Sequence, residues 1–308
     1  MNFSYLANRF AQSLLTIFVL LALIFAAARA TGDPTASLLP LTASAEERES
    51  LRRALHLDEP LAMQFTAYLS DLLRGDLGMS YFWQRPVSEL ILERVPVTVT
   101  LALLAGAITL GVGLPLGIVA ARHRGKPADH IVLIVALLGQ SVPIFVTGLL
   151  GILFFSVKLR WLPVAGVESL TGYLLPAVAL GWFGIASMIR VTRVSMLNAL
   201  GAEYITTARA KGLSRTVIVY RHALRNALMP VLTIFSLILA TLLTGTVVTE
   251  TLFALPGLGR LAVEAIVRRD FPVVQAVILL TTIVFILINL CVDILYGIID
   301  PRTRAGTA

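Results

Sequence analysis

Charge is scarce in this chain: only 14% of its 308 residues are Asp, Glu, Lys or Arg, while 57% are apolar and the mean hydropathy is +0.86. Soluble globular domains carry about 25% charged residues, so this balance excludes one and points to an integral membrane protein. A single cysteine, Cys291, lies inside an apolar stretch, which excludes a disulfide framework and a thiolate metal site and leaves a packing role. There is no G-x-x-x-x-G-K-[ST] phosphate loop, no H-E-x-x-H and no pair of metal-ligand cysteines, and His56, His123, His130 and His222 are scattered over different loops. No cofactor or metal is therefore expected in this chain, and it is not expected to bind ATP in the usual way. An intramembrane hydrolase would need a nucleophile or a carboxylate pair within the apolar runs. Ser141 and Ser236 are examples of such hydroxyls, and neither has a basic partner in the sequence pattern.

What is present is a series of charge-free runs: Phe10 to Ala28, Val95 to Ala121, Ile131 to Val157, Ser169 to Ile189, Asn226 to Thr249 and Pro272 to Val292. Each is long enough to cross a hydrocarbon core of roughly 30 Å as a helix, so the expectation is an all-α membrane protein with six spans. Ala28-Arg-Ala30 imitates a signal-peptidase site, but the preceding run is long for a signal sequence and only Arg9 marks its basic end, so a retained helix is expected. The net charge of +7 and pI near 10 do not suggest nucleic acid, because the cations fall in short loops rather than along one soluble face.

Those cations set an orientation. Arg122, Arg124 and Lys126, the basic island from Ser195 to Pro230, and Arg302 with Arg304 fall on one side; Lys158, Arg160, Arg260, Arg268 and Arg269 fall on the other. Short cytoplasmic loops carry the excess of Lys and Arg, so both termini are expected in the cytoplasm. The segment from Arg29 to Arg94 is then external and, with a helical stretch from Ala45 to Leu55, reads as folded. Within the spans, Pro115, Pro143, Pro176 and Pro230 can kink helices. Gly113 with Gly117, and Gly148 with Gly151, permit close helix approach. Glu250, Asp293 and Arg190 stand at span ends, where snorkelling or ion pairing accounts for most such charges.

The island SMLNALGAEYITTARAKGLSRTVIVYRHALRNALMP, Ser195 to Pro230, is the most informative stretch. Its periodicity predicts two short helices, one with Leu197, Leu200, Tyr204 and Ala208 on a stripe, the next with Leu213, Val217, Tyr220 and Leu224. Gly212 separates them and can adopt the left-handed conformation that ends a helix. Lys211 suits the negative end of the dipole, and Ser214 can cap the following helix. The product is a compact knob of the kind that fits a groove on a partner.

The run YITTARAKGL (Tyr204 to Leu213), followed by RHALRNA from Arg221 and by Pro230, resembles the cytoplasmic coupling loop of ABC-importer permeases in the peptide/nickel branch. The broader importer consensus has Glu six residues before this glycine; Thr206 stands there instead, as is common in that branch. GDLGMS (Gly75 to Ser80) with Arg85-Pro-Val87, ETLFALPGLGR (Glu250 to Arg260), RDFPVVQ (Arg269 to Gln275) and the stretch from Asn289 to Arg302 extend the resemblance over nearly the whole chain, in order.

The resemblance implies a type I importer permease core at residues 95–299, with the coupling loop at 195–226, a first transmembrane helix and extracytoplasmic segment at 1–94, and a cytoplasmic tail at 300–308. It implies ATPase coupling through Thr206, Thr207, Ala208, Arg209, Ala210, Lys211, Gly212 and Leu213. Glu250, Phe253 and Leu258 would reach the extracellular mouth of the pathway. Expected partners are a second, related permease, two ATPase subunits that bind the ATP and magnesium, an extracytoplasmic binding protein and the bilayer of a bacterial inner membrane. The implied cargo is a di- or oligopeptide, with nickel, a metal chelate or glutathione as alternatives.

Overall fold

A computed structural model describes residues 3–30, 44–54, 57–167 and 169–299. The described residues form helices joined by turns, with one isolated bridge between Met79 and Pro86. In chain order the helices are α1 (Phe3–Ala30), α2 (Ala45–Ala54), α3 (Leu61–Leu73), α4 (Val87–Arg122), α5 (Pro127–Ser141), α6 (Ile144–Gly151), α7 (Leu170–Leu200), α8 (Glu203–Ala210), α9 (Arg215–Val217), α10 (Leu224–Leu252), α11 (Leu258–Val267) and α12 (Phe271–Ile299). A π-helical turn, Ile152–Lys158, continues α6, and a second, Ile218–Ala223, joins α9 to α10. Cys291 and Asp293 fall within α12, but their side chains, like Arg302 and Arg304 entirely, lie outside the described residues.

Among the described residues five helical segments are long and apolar enough to cross a membrane, and a bent pair supplies a sixth. That pair is the expected span from Ile131 to Val157, and it is not one helix. Pro127–Ser141 and Ile144–Lys158 meet at 105°. Pro143 has no N–H to continue the ladder, and it forces its predecessor out of the helical region: Val142 sits at φ −91°, ψ 121°. The prolines at 115, 176 and 230 are instead carried inside continuous helices.

The chain divides into two compact units, Met1–Pro96 with Pro256–Ile286, and Val97–Leu255 with Leu287–Ala308. In the first, Val87, Leu90, Leu258, Leu261, Val273 and Ala276 make one buried cluster. Phe65 of α3 packs its ring 5.2 Å from Phe25 and 5.9 Å from Phe18 of α1. Ser44 and Glu47 form a reciprocal capping box at the start of α2, the Ser44 N–H donating to the carboxylate and the Glu47 N–H to the hydroxyl. The deepest polar group is Asp270, which accepts from Ser80 Oγ and from the backbone N–H groups of Tyr81 and Phe82. It anchors the turn that enters α4. Burial pushes the Tyr81 phenol above its usual range, against the opposing pull of Arg29, so it remains a neutral hydroxyl.

In the second unit α7 is the central helix, with 61% of its most apolar stretch buried; the corresponding figure is 17% for α1 and for α12, which leaves their apolar surface available to lipid. Close approach to α7 depends on the α4 glycines. A Cβ on Gly113 would lie 2.6 Å from Met188 Cβ, and one on Gly117 2.5 Å from Thr192 Cβ and 2.9 Å from the Ile189 carbonyl. Without a hydrophobic drive between helices in lipid, such small-residue contacts provide the packing.

Gly117→Val should therefore force α4 away from α7 and cost about 1–3 kcal/mol, the range for overpacked cores. Gly111, with open space around its Cβ position, provides the control. Thermal unfolding of the purified protein should show a lowered midpoint for Gly117→Val and little change for Gly111→Ala; equal midpoints would refute the close-contact account.

Candidate coupling site

α7 leaves the bundle at Gly201 and the chain turns at once into α8, whose eight residues end at Ala210, with Lys211 as the cap. Gly212 then takes φ +75°, the left-handed corner expected of it. The corner is closed by two hydrogen bonds, Gly212 N–H to the Arg209 carbonyl at 2.9 Å and Leu213 N–H to the Ala208 carbonyl at 3.3 Å, the pairing of a Schellman end. Ser214 caps the next helix as its position predicts, its hydroxyl accepting from the Val217 N–H.

The packed face differs from the predicted stripe. Ile205 and Ala208 of α8, then Ile218, Val219, Ala223 and Ala227, are buried with Ile118, Ala121, Met196 and Ala199 in one cluster, while Tyr204 and Tyr220 are exposed. For the first helix the reason is a break at Gly201–Ala202, so Tyr204 does not continue the stripe of Leu197 and Leu200; for the second it is the π-helical turn Ile218–Ala223, whose extra residue per turn shifts side chains out of α-helical register. A strict 3.6 period cannot anticipate it. Of the candidate coupling residues, Ala208 thus packs inward against the chain's own bundle, and Thr206, Thr207, Arg209, Ala210, Lys211, Gly212 and Leu213 are exposed.

A buried ion pair stands behind this loop. Asp129, 1% exposed at the start of α5, accepts from Arg193 Nε at 2.6 Å and Nη2 at 2.8 Å, and from the Gly125 N–H at 2.9 Å. It fastens the short α4–α5 loop to α7 about two turns before that helix ends at Leu200. The partners are 64 residues apart, and nothing local in the sequence signals their meeting. Arg190, one turn earlier on α7, donates instead to Gln140.

The three residues expected at a pathway mouth are all buried. Glu250, fully enclosed near the end of α10, accepts from Thr98 Oγ1 at 2.6 Å. Phe253 lies over Gly148, where a Cβ would meet its ring at 3.2 Å. Leu258 belongs to the first unit, in the cluster with Val87 and Leu90. The helix end between them carries a left-handed residue that is not glycine: Ala254, at φ 51°, lets the Leu255 N–H reach the Glu250 carbonyl at 2.8 Å. Ser141 and Ser236, the hydroxyls weighed as nucleophiles, each donate to the carbonyl four residues back in their own helix.

A multi-pass helical bundle that holds out a rigid basic knob between two spans has the build of a membrane transport component. The comparisons with known proteins specify which. Residues 113–305 match the binding-protein-dependent transport system inner membrane component family, and residues 2–102 match its N-terminal companion. A Brucella abortus (strain 2308) protein, named for a role as permease in a peptide transport system, is 44% identical over 306 residues, covering 96% of this chain and 98% of that one. The glutathione transport system permease protein GsiC of Escherichia coli (strain K12) is 41% identical over 302 residues, covering 98% and 99%. Among solved structures, the inward-facing MetNI methionine ABC transporter aligns with TM-score 0.61 at 20% identity, over 69% of this chain and 97% of that one. An amino acid ABC transporter crystallised with histidines aligns at TM-score 0.52 and 15% identity, over 68% and 93%; at these identities the likeness concerns the fold.

The chain belongs to the binding-protein-dependent transport system inner membrane component family. It is a multi-pass permease subunit of an ABC importer of a bacterial inner membrane, with the type I importer fold. ATPase and substrate-binding components are its partners, and ATP hydrolysis is the work of the ATPase subunits.

Removing one member of the buried ion pair leaves the other uncompensated, at a cost of about 3 kcal/mol. Asp129→Ala and Arg193→Ala should each lower the thermal midpoint of the purified protein. The double variant should be no worse than either single one. Additive losses in the double variant would mean that the two side chains do not act as a pair.

Proposed function

We propose that this permease moves di- or oligopeptides inward by alternating access, paired with a second, related permease as a heterodimer. ATP and magnesium reside on the ATPase subunits. Both termini and the Ser195 to Pro230 loop face the cytoplasm, and the ATPase docks on the exposed side of the knob from Thr206 to Leu213. The observation that carries this reading is the corner at Gly212: a left-handed turn over a buried Ile205–Ala208 face leaves Arg209, Ala210 and Lys211 displayed on a rigid support. Movement of an attached ATPase would then pass into α7 and α10, which flank the loop, and rock the bundle. Glu250, Phe253 and Leu258 are all buried, so any part they take at the pathway's outer end would be to support its wall and not to meet the cargo.

For cargo, the peptide and glutathione systems of the 44% and 41% identical relatives favour peptides, glutathione being itself a short one. Nickel or its chelates are the alternative. Titration calorimetry of the binding protein that serves this permease should show heat of binding for di- or oligopeptides and none for nickel chelates. The reverse preference would overturn the assignment.

Gly212 has no neighbour within 4 Å of a would-be Cβ, so substitution there tests backbone conformation alone. A β-branched residue held at positive φ costs about 1–3 kcal/mol, whereas asparagine tolerates this region. Gly212→Val should reach the membrane at normal level yet lose about tenfold or more of its uptake and co-purify poorly with the ATPase, and Gly212→Asn should retain both. Normal uptake and co-purification in Gly212→Val would remove the coupling assignment.

A further inference from the structure

Behind the knob lies a cavity of about 450 Å³ lined by Ala121, Arg122, Leu200, Arg209, Leu213, Arg215, Ile218 and Val219. Three guanidinium groups border it, from the last residue of α4, the last turn of α8 and the first residue of α9. Among the described residues no carboxylate pairs with any of them; the acid nearest in role, Asp129, is occupied by Arg193. Arg215 Nη2 donates to the Arg122 backbone carbonyl at 3.2 Å, and the side chains of both residues border the cavity. The Arg122 guanidinium lies over the Tyr220 ring at 6.0 Å. Its Nε is buried and has no hydrogen-bond partner among the described residues.

Two deficits meet here. Like charges repel most where water is partly excluded, and a buried charged donor without an acceptor is unfavourable. A ligand with several anionic oxygens answers both, and guanidinium groups suit phosphate geometry. The opposite wall is apolar, formed by Leu200, Leu213, Ile218 and Val219. Arg122 directly follows the charge-free run of α4 that ends at Ala121, so the Arg122 side of the cavity lies near the level of headgroup phosphates.

We propose that this cavity binds the phosphodiester headgroup of an anionic phospholipid, the phosphate between Arg122 and Arg215 and the glycerol against the leucine and isoleucine wall. Because Arg209 and Leu213 line the cavity as well as the knob, the bound lipid braces the knob against α4. ATPase coupling then depends on anionic lipid. The consequence for coupling rests on the docking reading given above; binding itself does not.

Native mass spectrometry of the purified transporter, released from bilayers containing phosphatidylglycerol and phosphatidylcholine, measures the binding directly. The wild type should retain phosphatidylglycerol in preference to phosphatidylcholine. Arg122→Gln combined with Arg215→Gln should reduce that retention about tenfold or more, and the corresponding double lysine variant should keep most of it. Arg215→Gln alone, an exposed position, should give a partial loss even if the double glutamine variant folds poorly. Undiminished retention in the glutamine variants, equal retention of the two lipids, or displacement of the lipid by millimolar inorganic phosphate would each overturn the proposal. Sidedness is read separately: an impermeant thiol reagent applied to intact cells carrying Ser214→Cys in a Cys291→Ser background reports which way the loop faces, so failure of the orientation and failure of the lipid site are distinguishable.

Discussion

A bilayer offers no water to a backbone N–H or carbonyl, and that constraint governs this chain more than any single contact. It demands helices wherever the chain meets lipid, and it permits irregular backbone only where protein encloses it. Helices α1 and α12 accordingly have only 17% of their most apolar stretch buried, and the break at Val142–Pro143 occurs beside α7, where a Cβ on Gly139 would meet Ala186 at 3.1 Å and the Trp182 carbonyl at 3.3 Å. With helices of similar hydrophobicity to the solvent around them, packing has to come from shape. The Gly113 and Gly117 contacts with α7 supply it, and they make α7 the helix against which the others are referenced.

The buried acids stand near the ends of this framework. Asp129 with Arg193, Asp270 with Ser80, and Glu250 with Thr98 each place a buried acid beside donors contributed by a distant part of the chain. Each anchors a turn or a helix end that the apolar surfaces alone would leave undetermined. Asp129 holds a loop to the stem of α7, and from that stem the chain passes through Gly201 into the knob. The knob is thus continuous with the best-packed helix of the molecule. Only Gly201 and Ala202 separate it from α7, and α9 with the π-helical turn leads from it into α10.

Much of this was legible from local residues. Charge-free runs located the spans, the spacing of Gly113 and Gly117 announced a close contact, and Gly212 with Ser214 gave a left-handed corner followed by a capped helix, as the structure has them. Features that depend on the whole fold were not. The π-helical turn at Ile218–Ala223 buries Ile218 and Val219 where the period assigns Tyr220, because one extra residue per turn leaves no mark on composition. The corners at Ala254 and Arg269 use left-handed residues other than glycine, held by the tertiary packing on either side. The ion pair of Asp129 and Arg193 and the anchor of Asp270 join positions 64 and 190 residues apart, a separation that a single sequence does not bridge. Proline at 143 was legible as a kink, but the 105° angle it produces is set by the neighbours of the two half-helices.

The central claim is that the exposed side of the knob, and not its buried side, is the seat of the ATPase. A photoreactive amino acid introduced in intact cells at exposed Ala210, and separately at Ile205, which is 1% exposed, examines it most directly. The account predicts a covalent adduct with the ATPase subunit from position 210 and adducts only within the permease from position 205. Absence of the ATPase adduct at 210, or its appearance at both positions alike, would contradict it.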